Sequence, residues 1–159
     1  MKKIEIFLGL IRIALGAIFL WAFLDKLFGL GFATTADKSW LAGGSPTYGF
    51  LKMGTKGPFA FIYQAMAGNV FVDWLFMIGL LLIGLALIFS VMVNLGCYGG
   101  ALMVFLMWSA ALPPTNHPVL DEHIIFGLTL ILLSLMNAGD FIGFGKSWKK
   151  IVGKNKWLR

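Results

Sequence analysis

The sequence predicts an all-α membrane protein: a bundle of four transmembrane helices with both ends in the cytoplasm. Short interfacial or re-entrant helices are expected in a long first outer loop. Three observations lead there. The chain of 159 residues is 59% apolar and only 13% charged, whereas a soluble domain carries about a quarter charged residues. The apolar residues gather into four stretches close to the roughly 20 residues that a bilayer crossing needs. Basic residues collect at the two ends: Lys2 and Lys3 open the chain, and Lys146, Lys149, Lys150, Lys154, Lys156 and Arg159 close it. The length suits one membrane domain over 1–159.

The first span is expected over 4–24, about 31 Å at 1.5 Å per residue. It begins like a signal peptide, but it is too long for one, and Asp25-Lys26 follows it rather than a small-residue cleavage site. It therefore reads as an uncleaved span. The outer loop, 25–71, is not a plain linker. Ser45-Pro46 has the form of an N-cap followed by Pro at the first helical position. Gly57-Pro58 opens a second piece from Phe59 to Ala67 that Gly68 ends. That piece carries Phe59, Phe61, Ile62, Tyr63 and Met66 and is too short to span. It reads equally as a lid over an outer-leaflet site or as a membrane-surface anchor.

The second span is expected over 72–93, with Gly79 and Gly84 inside, and the third over 95–112. Asn94-Leu95-Gly96 is the expected turn between them. Pro113-Pro114-Thr115-Asn116-His117-Pro118 makes a stiff non-helical turn, and the fourth span follows over 119–138. A basic tail covers 140–159. Four crossings put both ends on one side, and the positive-inside rule makes that side the cytoplasm of a cell membrane. The same rule accounts for the net charge of +6. Basic ends can also meet anionic lipid heads, and no nucleic-acid partner is expected. Gly96, Gly99 and Gly100 suit close packing, within the chain or in a homo-oligomer.

Ionisable residues within lipid usually face a bundle interior. Arg12 is the deepest, about 12 Å into the first span. At about 100° per residue it shares a face with Glu5, Gly9, Gly16 and Lys26. The fourth span offers a matching stripe of His123, Gly127, Ser134 and Asn137. Ser134 and Asn137 lie near the depth of Arg12 and are candidate partners for it. Arg12 reads first as a structural clamp held by carbonyls, Glu5 and hydroxyls, and second as a binder of an anionic lipid or substrate.

The other ionisable groups sit at the outer ends: Asp25 and Lys26, Asp73 with Trp74, Trp108 with Ser109, and Asp121, Glu122 and His123. Carboxylates at helix starts suit the dipole, so capping is one reading of Asp73 and Asp121. A histidine among carboxylates beside a lysine can also exchange protons near neutral pH, which a redox site requires. Metal binding by Asp121, His123 and His117 is the weaker reading, because adjacent helical residues diverge by about 100° and no HxxxH or ExxH spacing occurs. No metal is expected, and no haem, for there is no CxxCH and no pair of deep histidines. The single cysteine, Cys97, reads as an apolar packing residue and rules out a CxxC redox pair.

Several blocks carry a family resemblance. They are Leu10-Ile11-Arg12-Ile13-Ala14-Leu15-Gly16 running on to Asp25-Lys26-Leu27-Phe28-Gly29, Lys38-Ser39-Trp40-Leu41 with Gly43-Gly44-Ser45-Pro46-Thr47, Val72-Asp73-Trp74-Leu75, and Leu112-Pro113-Pro114 followed by Asn116-His117-Pro118-Val119-Leu120-Asp121-Glu122-His123. Together they resemble the DoxX/DoxD-like membrane family over nearly the whole chain. The resemblance implies a small four-helix membrane protein. Some members are similar to a subunit of thiosulfate:quinone oxidoreductase, which oxidises thiosulfate and passes electrons to membrane quinone.

With the outer cluster, the resemblance implies an oxidoreductase membrane subunit that takes a quinone cofactor under the outer loop. His123, Glu122 and Asp121 would serve proton exchange, and Lys26, with Lys52 or Lys56, would attract a small sulfur anion. Asp25, Asp73, Trp74, Trp108 and Arg12 complete the candidate binding set, with Trp74 or Trp108 stacking on a ring. A second protein subunit is an expected partner. The alternative is a non-catalytic scaffold or assembly partner of a redox complex. A lipid or small-solute carrier is a third reading, for which broken spans or inverted repeats would be the sign.

Overall fold

The computed structural model describes residues 2–115, 117–153 and 155. Asn116 of the Pro-rich turn, and Lys154, Lys156 and Arg159 of the basic tail, lie outside the described residues. The fold is all helical, with no strand among the described residues. Six α-helices follow in order: α1 Lys3–Phe28, α2 Ala60–Ala65, α3 Val70–Phe89, α4 Val93–Ala110, α5 Glu122–Leu135 and α6 Gly145–Val152. Three of them, α1, α3 and α4, are long and apolar enough to cross a membrane.

Helix α1 starts where the Glu5 carboxylate accepts the Lys2 amide at 2.9 Å. It stops at Gly29, whose φ of 68° is left-handed and whose N–H returns to the Asp25 carbonyl at 2.8 Å. A side chain at Gly29 would also meet the Ala36 Cα at 2.5 Å. The expected inward face of α1 is borne out at Gly9, Arg12 and Gly16, all buried with Leu8, Leu15 and Phe19. Glycine makes the α1–α3 contact close: a Cβ at Gly84 would lie 2.9 Å from the Leu20 backbone nitrogen, and one at Gly16 2.9 Å from the Leu87 Cβ. Small residues permit such an approach where helices cannot rely on hydrophobic exclusion. The core continues through Met77, Leu80 and Ile83 of α3, Cys97 and Val104 of α4, and Leu130 and Leu133 of α5. Cys97 is fully buried there, in line with a packing role.

The boundaries differ from the expected ones in three places. The turn between the second and third spans lies at Ser90–Met92, not at Asn94-Leu95-Gly96. Ser90 and Met92 are left-handed, with φ of 63° and 54°. The Ser90 hydroxyl offsets that strain by donating to the Ile142 carbonyl at 3.2 Å. Gly96 is a packing glycine instead, since a Cβ there would come within 2.9 Å of the Ala86 Cβ. Second, the stretch expected to be helical over 119–138 is α-helical only from Glu122 to Leu135. Asp121 delays the start as an extended N-cap, and Asn137 at φ 51° turns the chain into a 3-10 turn over Ala138–Asp140. Third, the basic tail contains a helix, α6, beyond the four expected spans. Lys149 of α6 pairs with Asp140 at 2.6 and 2.7 Å.

The long loop between α1 and α3 folds as a 3-10 turn over Ala36–Lys38, a π-helical turn over Phe50–Gly54, and α2. Ser45 behaves as the expected cap, accepting the Tyr48 amide at 3.2 Å. The loop is tied down across the ends of α1 and α4. Trp40 N–H donates to the Lys26 carbonyl at 2.9 Å, Lys56 N–H to the Ala110 carbonyl at 3.1 Å, and the Tyr63 and Ser109 hydroxyls meet at 2.6 Å.

Candidate functional site

Two buried carboxylates shape the site by holding the loop. The oxygens of Asp25, one turn from the end of α1, accept the Phe32 and Ala33 amides at 3.2 and 2.9 Å. This folds the chain back so that Ala33, Thr34 and Thr35 come to the helix ends. Asp73, in the first turn of α3, receives three donors on one oxygen: the Ser45 hydroxyl at 2.9 Å, the Thr47 amide at 3.2 Å and the Thr47 hydroxyl at 2.5 Å. Each bond to a charged acceptor is among the stronger kind.

Below this loop, a groove of about 1320 Å³ runs along the α3–α4 seam and opens to the surface. Leu75, Gly79, Leu82, Ile83 and Ala86 form one wall, and Leu95, Gly99, Leu102, Met103 and Leu106 the other. Pro46, Phe50, Leu51, Tyr63 and Met66 of the loop border it, while Phe59, Phe61 and Ile62 of the same loop are exposed. Polar groups gather at this end only: Lys26, Thr34, Thr35, Lys38, Ser45 and Thr47. The ammonium of Lys26 lies 6.0 Å from the Phe76 ring centroid and makes no ion pair among the described residues. At the exposed edge, Asp37 is held below the usual carboxylate range. The hydrogen bond from the Thr35 side chain is the main cause, helped by a backbone amide and by Lys38. It therefore stays ionised at neutral pH beside Lys38.

The remaining candidates lie elsewhere. Trp74 packs edge-on against Trp40 at 4.6 Å, and the Trp108 indole donates to the Val119 carbonyl at 2.7 Å. Neither lines the groove. Asp121 caps α5, accepting the His123 and Ile124 amides at 3.0 and 3.4 Å, and its other oxygen meets His123 Nδ1 at 3.0 Å. One donor atom each from Asp121, Glu122 and His123 fall within 4.8 Å of one another. They come closer than helical divergence suggests because Asp121 is the extended cap and not a helical residue. His117 turns inward on its own loop, accepting the Val119 and Leu120 amides. The Asp121–His123 pair can exchange a proton, but neither it nor Glu122 is among the groove-lining residues.

Arg12 is fully buried and also stands apart from the groove. One terminal nitrogen donates to the carbonyls of Phe141 (3.1 Å) and Ile142. Its Nε and other terminal nitrogen have no partner among the described residues. The expected partners are engaged differently: Ser134 donates to Asn94 at 2.9 Å, Asn137 ends α5, and Glu5 takes the Lys2 amide. Arg12 is thus a carbonyl clamp between α1 and the segment after α5.

No family model, curated protein or solved structure matches the chain.

The site accordingly stands on its own geometry. Of the candidate residues named from sequence, Lys26 alone lines the groove, while Asp25 and Asp73 hold its roof in place. The sequence reading missed Thr34, Thr35, Lys38 and Thr47 as rim residues. Their signal was a loop unusually rich in hydroxyls next to lysines. Hydroxyls in loops commonly make turns, so that signal is weak until the groove beneath them is known.

Proposed function

We propose that this chain is the quinone-binding membrane subunit of an oxidoreductase, crossing a cell membrane four times with both ends in the cytoplasm. The observation that carries the reading is the α3–α4 groove with polar groups at one end only. At about 1320 Å³ it is larger than the roughly 300–1,000 Å³ of an ordinary small-molecule site, which leaves room for a head and a tail. A quinone joins a small ring bearing acceptor oxygens to a long apolar tail. The hydroxyls of Ser45, Thr47 and Tyr63 are already engaged with Asp73 and Ser109, and that of Thr35 with Asp37, which leaves the donors of Lys26 and Lys38 and the Thr34 hydroxyl. These groups bind and orient the ring, and the apolar walls receive the tail. A bound quinone supplies an electron acceptor. The electrons come from a partner subunit, and the resemblance to DoxX/DoxD-like proteins favours a small sulfur anion such as thiosulfate as their source.

Two features support a fourth crossing by α5. Its outward face of Ile125, Leu128, Leu132 and Leu135 is exposed and wholly apolar, as a lipid-facing stripe is. Exposed Val119, Leu120 and Met136 extend that surface at both ends. A helix of 14 residues is about 21 Å long, and local thinning of the bilayer accommodates the shortfall. Lys2 and Lys3 at one end, with Lys146, Lys149 and Lys150 at the other, favour a cytoplasmic side for both.

The scaffold reading keeps one observation in its favour: Asp121, Glu122 and His123 do not line the groove, so no acid–base pair meets a bound ring. Binding separates the two. Purified protein in lipid nanodiscs is titrated with a ubiquinone analogue and followed by tryptophan quenching. The proposal expects saturable binding that Lys26→Ala weakens by about tenfold. Titration that never saturates, or is unchanged by Lys26→Ala, would leave the scaffold reading.

A further inference from the structure

The groove is longer than its polar end needs. Its lining follows α3 from Val72 to Phe89, about 26 Å at 1.5 Å per residue. Between the rim and its far end at Met92 and Phe144 the walls carry no charged or hydrogen-bonding side chain. A head group alone fills only the top. Several lining residues, Leu75, Leu82, Leu102 and Leu106 among them, are exposed on the outer surface, so the groove opens sideways along its length.

Glycine at position 99 sharpens this. Gly96 and Gly100 on the same helix are required by packing. A Cβ at Gly96 would sit 2.9 Å from the Ala86 Cβ, and one at Gly100 3.1 Å from the Leu130 Cδ1 and 3.3 Å from Phe19. At Gly99 it would meet nothing nearer than the Ile83 Cγ1 at 3.9 Å, an ordinary contact. Glycine is a poor helix former, and here no neighbour demands it. What its missing side chain does is keep the groove wide at mid-height. Nearer the rim, a Cβ at Gly79 would come 2.6 Å from the Met103 methyl, the free end of an adaptable side chain.

We infer that the groove is a binding site for a single long-chain amphiphile, with the polar head at Lys26 and the chain running down along the α3–α4 seam past Gly99, and that Gly99 sets how long a chain fits. This rests on the reading of the groove as a ligand site, though not on the head being a quinone. The occupant is an amphiphile and not a second protein helix, because the polar groups stand at one end only and meet a head rather than a side-chain pattern.

The test uses the full chain in nanodiscs, with Gly99→Leu compared against wild type, and a tail-less and a long-tailed quinone as probes. Comparing the two proteins under one condition cancels the greater partitioning of the long-tailed probe into lipid. Gly99→Leu is expected to weaken the long-tailed probe by about tenfold or more, as overfilling a packed site does, and to leave the tail-less probe within about twofold. Should Gly99→Leu not fold, Leu102→Trp on the groove's lip serves the same comparison. Native mass spectrometry supplies a second readout, in which wild type retains a long-chain lipid that Gly99→Leu releases. If no quinone binds but this lipid difference holds, the quinone reading fails and the long-chain site stands. The inference is overturned if both probes bind wild type and Gly99→Leu alike with no difference in retained lipid. It is overturned equally if crosslinking finds a neighbouring copy's helix in the groove.

Discussion

A buried arginine in an apolar helix is costly unless it is held, and Arg12 shows how little protein is needed to hold one. Two backbone carbonyls after α5 accept from one terminal nitrogen, and the clamp fixes the chain end against α1. Arg12→Ala is expected to lower stability by about 2–5 kcal/mol, since it empties a large buried volume and strips a partner from the Phe141 carbonyl. The Ile142 carbonyl keeps its bond from Ser90. Arg12→Lys recovers part of the loss but not all of it, for lysine keeps a donor but fills less of the buried volume. Thermal unfolding in detergent measures both. At this scale the sequence was legible in position and not in partner. The depth of Arg12 follows from counting residues along one helix, but the carbonyls it meets lie 129 and 130 positions away. Asp25 and Asp73 were visible in the same way as outer-end carboxylates. The loop amides and hydroxyls that use their oxygens belong to turns that no periodicity reveals.

Among the elements, helix existence was readable for the three long apolar stretches, because a bilayer-length run allows little else. Boundaries were less so. Asn94-Leu95-Gly96 has the composition of a turn, yet Gly96 is spent on a close helix contact and the turn falls on Ser90 and Met92. Glycine in this chain has two uses that sequence does not tell apart, close packing and open space. They predict opposite responses to the same change. Gly84→Ala places a Cβ 2.9 Å from the Leu20 backbone and is expected to destabilise by about 1–3 kcal/mol. Gly99→Ala meets only an ordinary contact and is expected to be neutral or to stabilise by up to about 1 kcal/mol through helix propensity. Melting temperatures of the two variants, measured side by side, decide the point.

For the whole molecule, the helices divide the labour. α1 and α3 pack through glycines, α4 and α5 close the core, and a groove stays open along the α3–α4 seam beneath a loop stapled by Asp25 and Asp73. The proposed four-pass arrangement predicts that this loop and the C-terminal helix lie on opposite sides of the membrane. In a Cys97→Ala background, Lys38→Cys is expected to react with an impermeant maleimide added to intact cells, and Lys150→Cys only after the cells are opened. Labelling of both positions in intact cells would exclude that topology. The central claim, that the open seam is where a quinone binds, is tested most directly by photolabelling native membranes with an azido-quinone and mapping the labelled residues. The account predicts adducts concentrated on groove residues such as Leu82, Leu102 and Met103, competed by unlabelled quinone. Adducts spread over the lipid-facing stripe of Ile125, Leu128 and Leu132, and insensitive to competition, would contradict it.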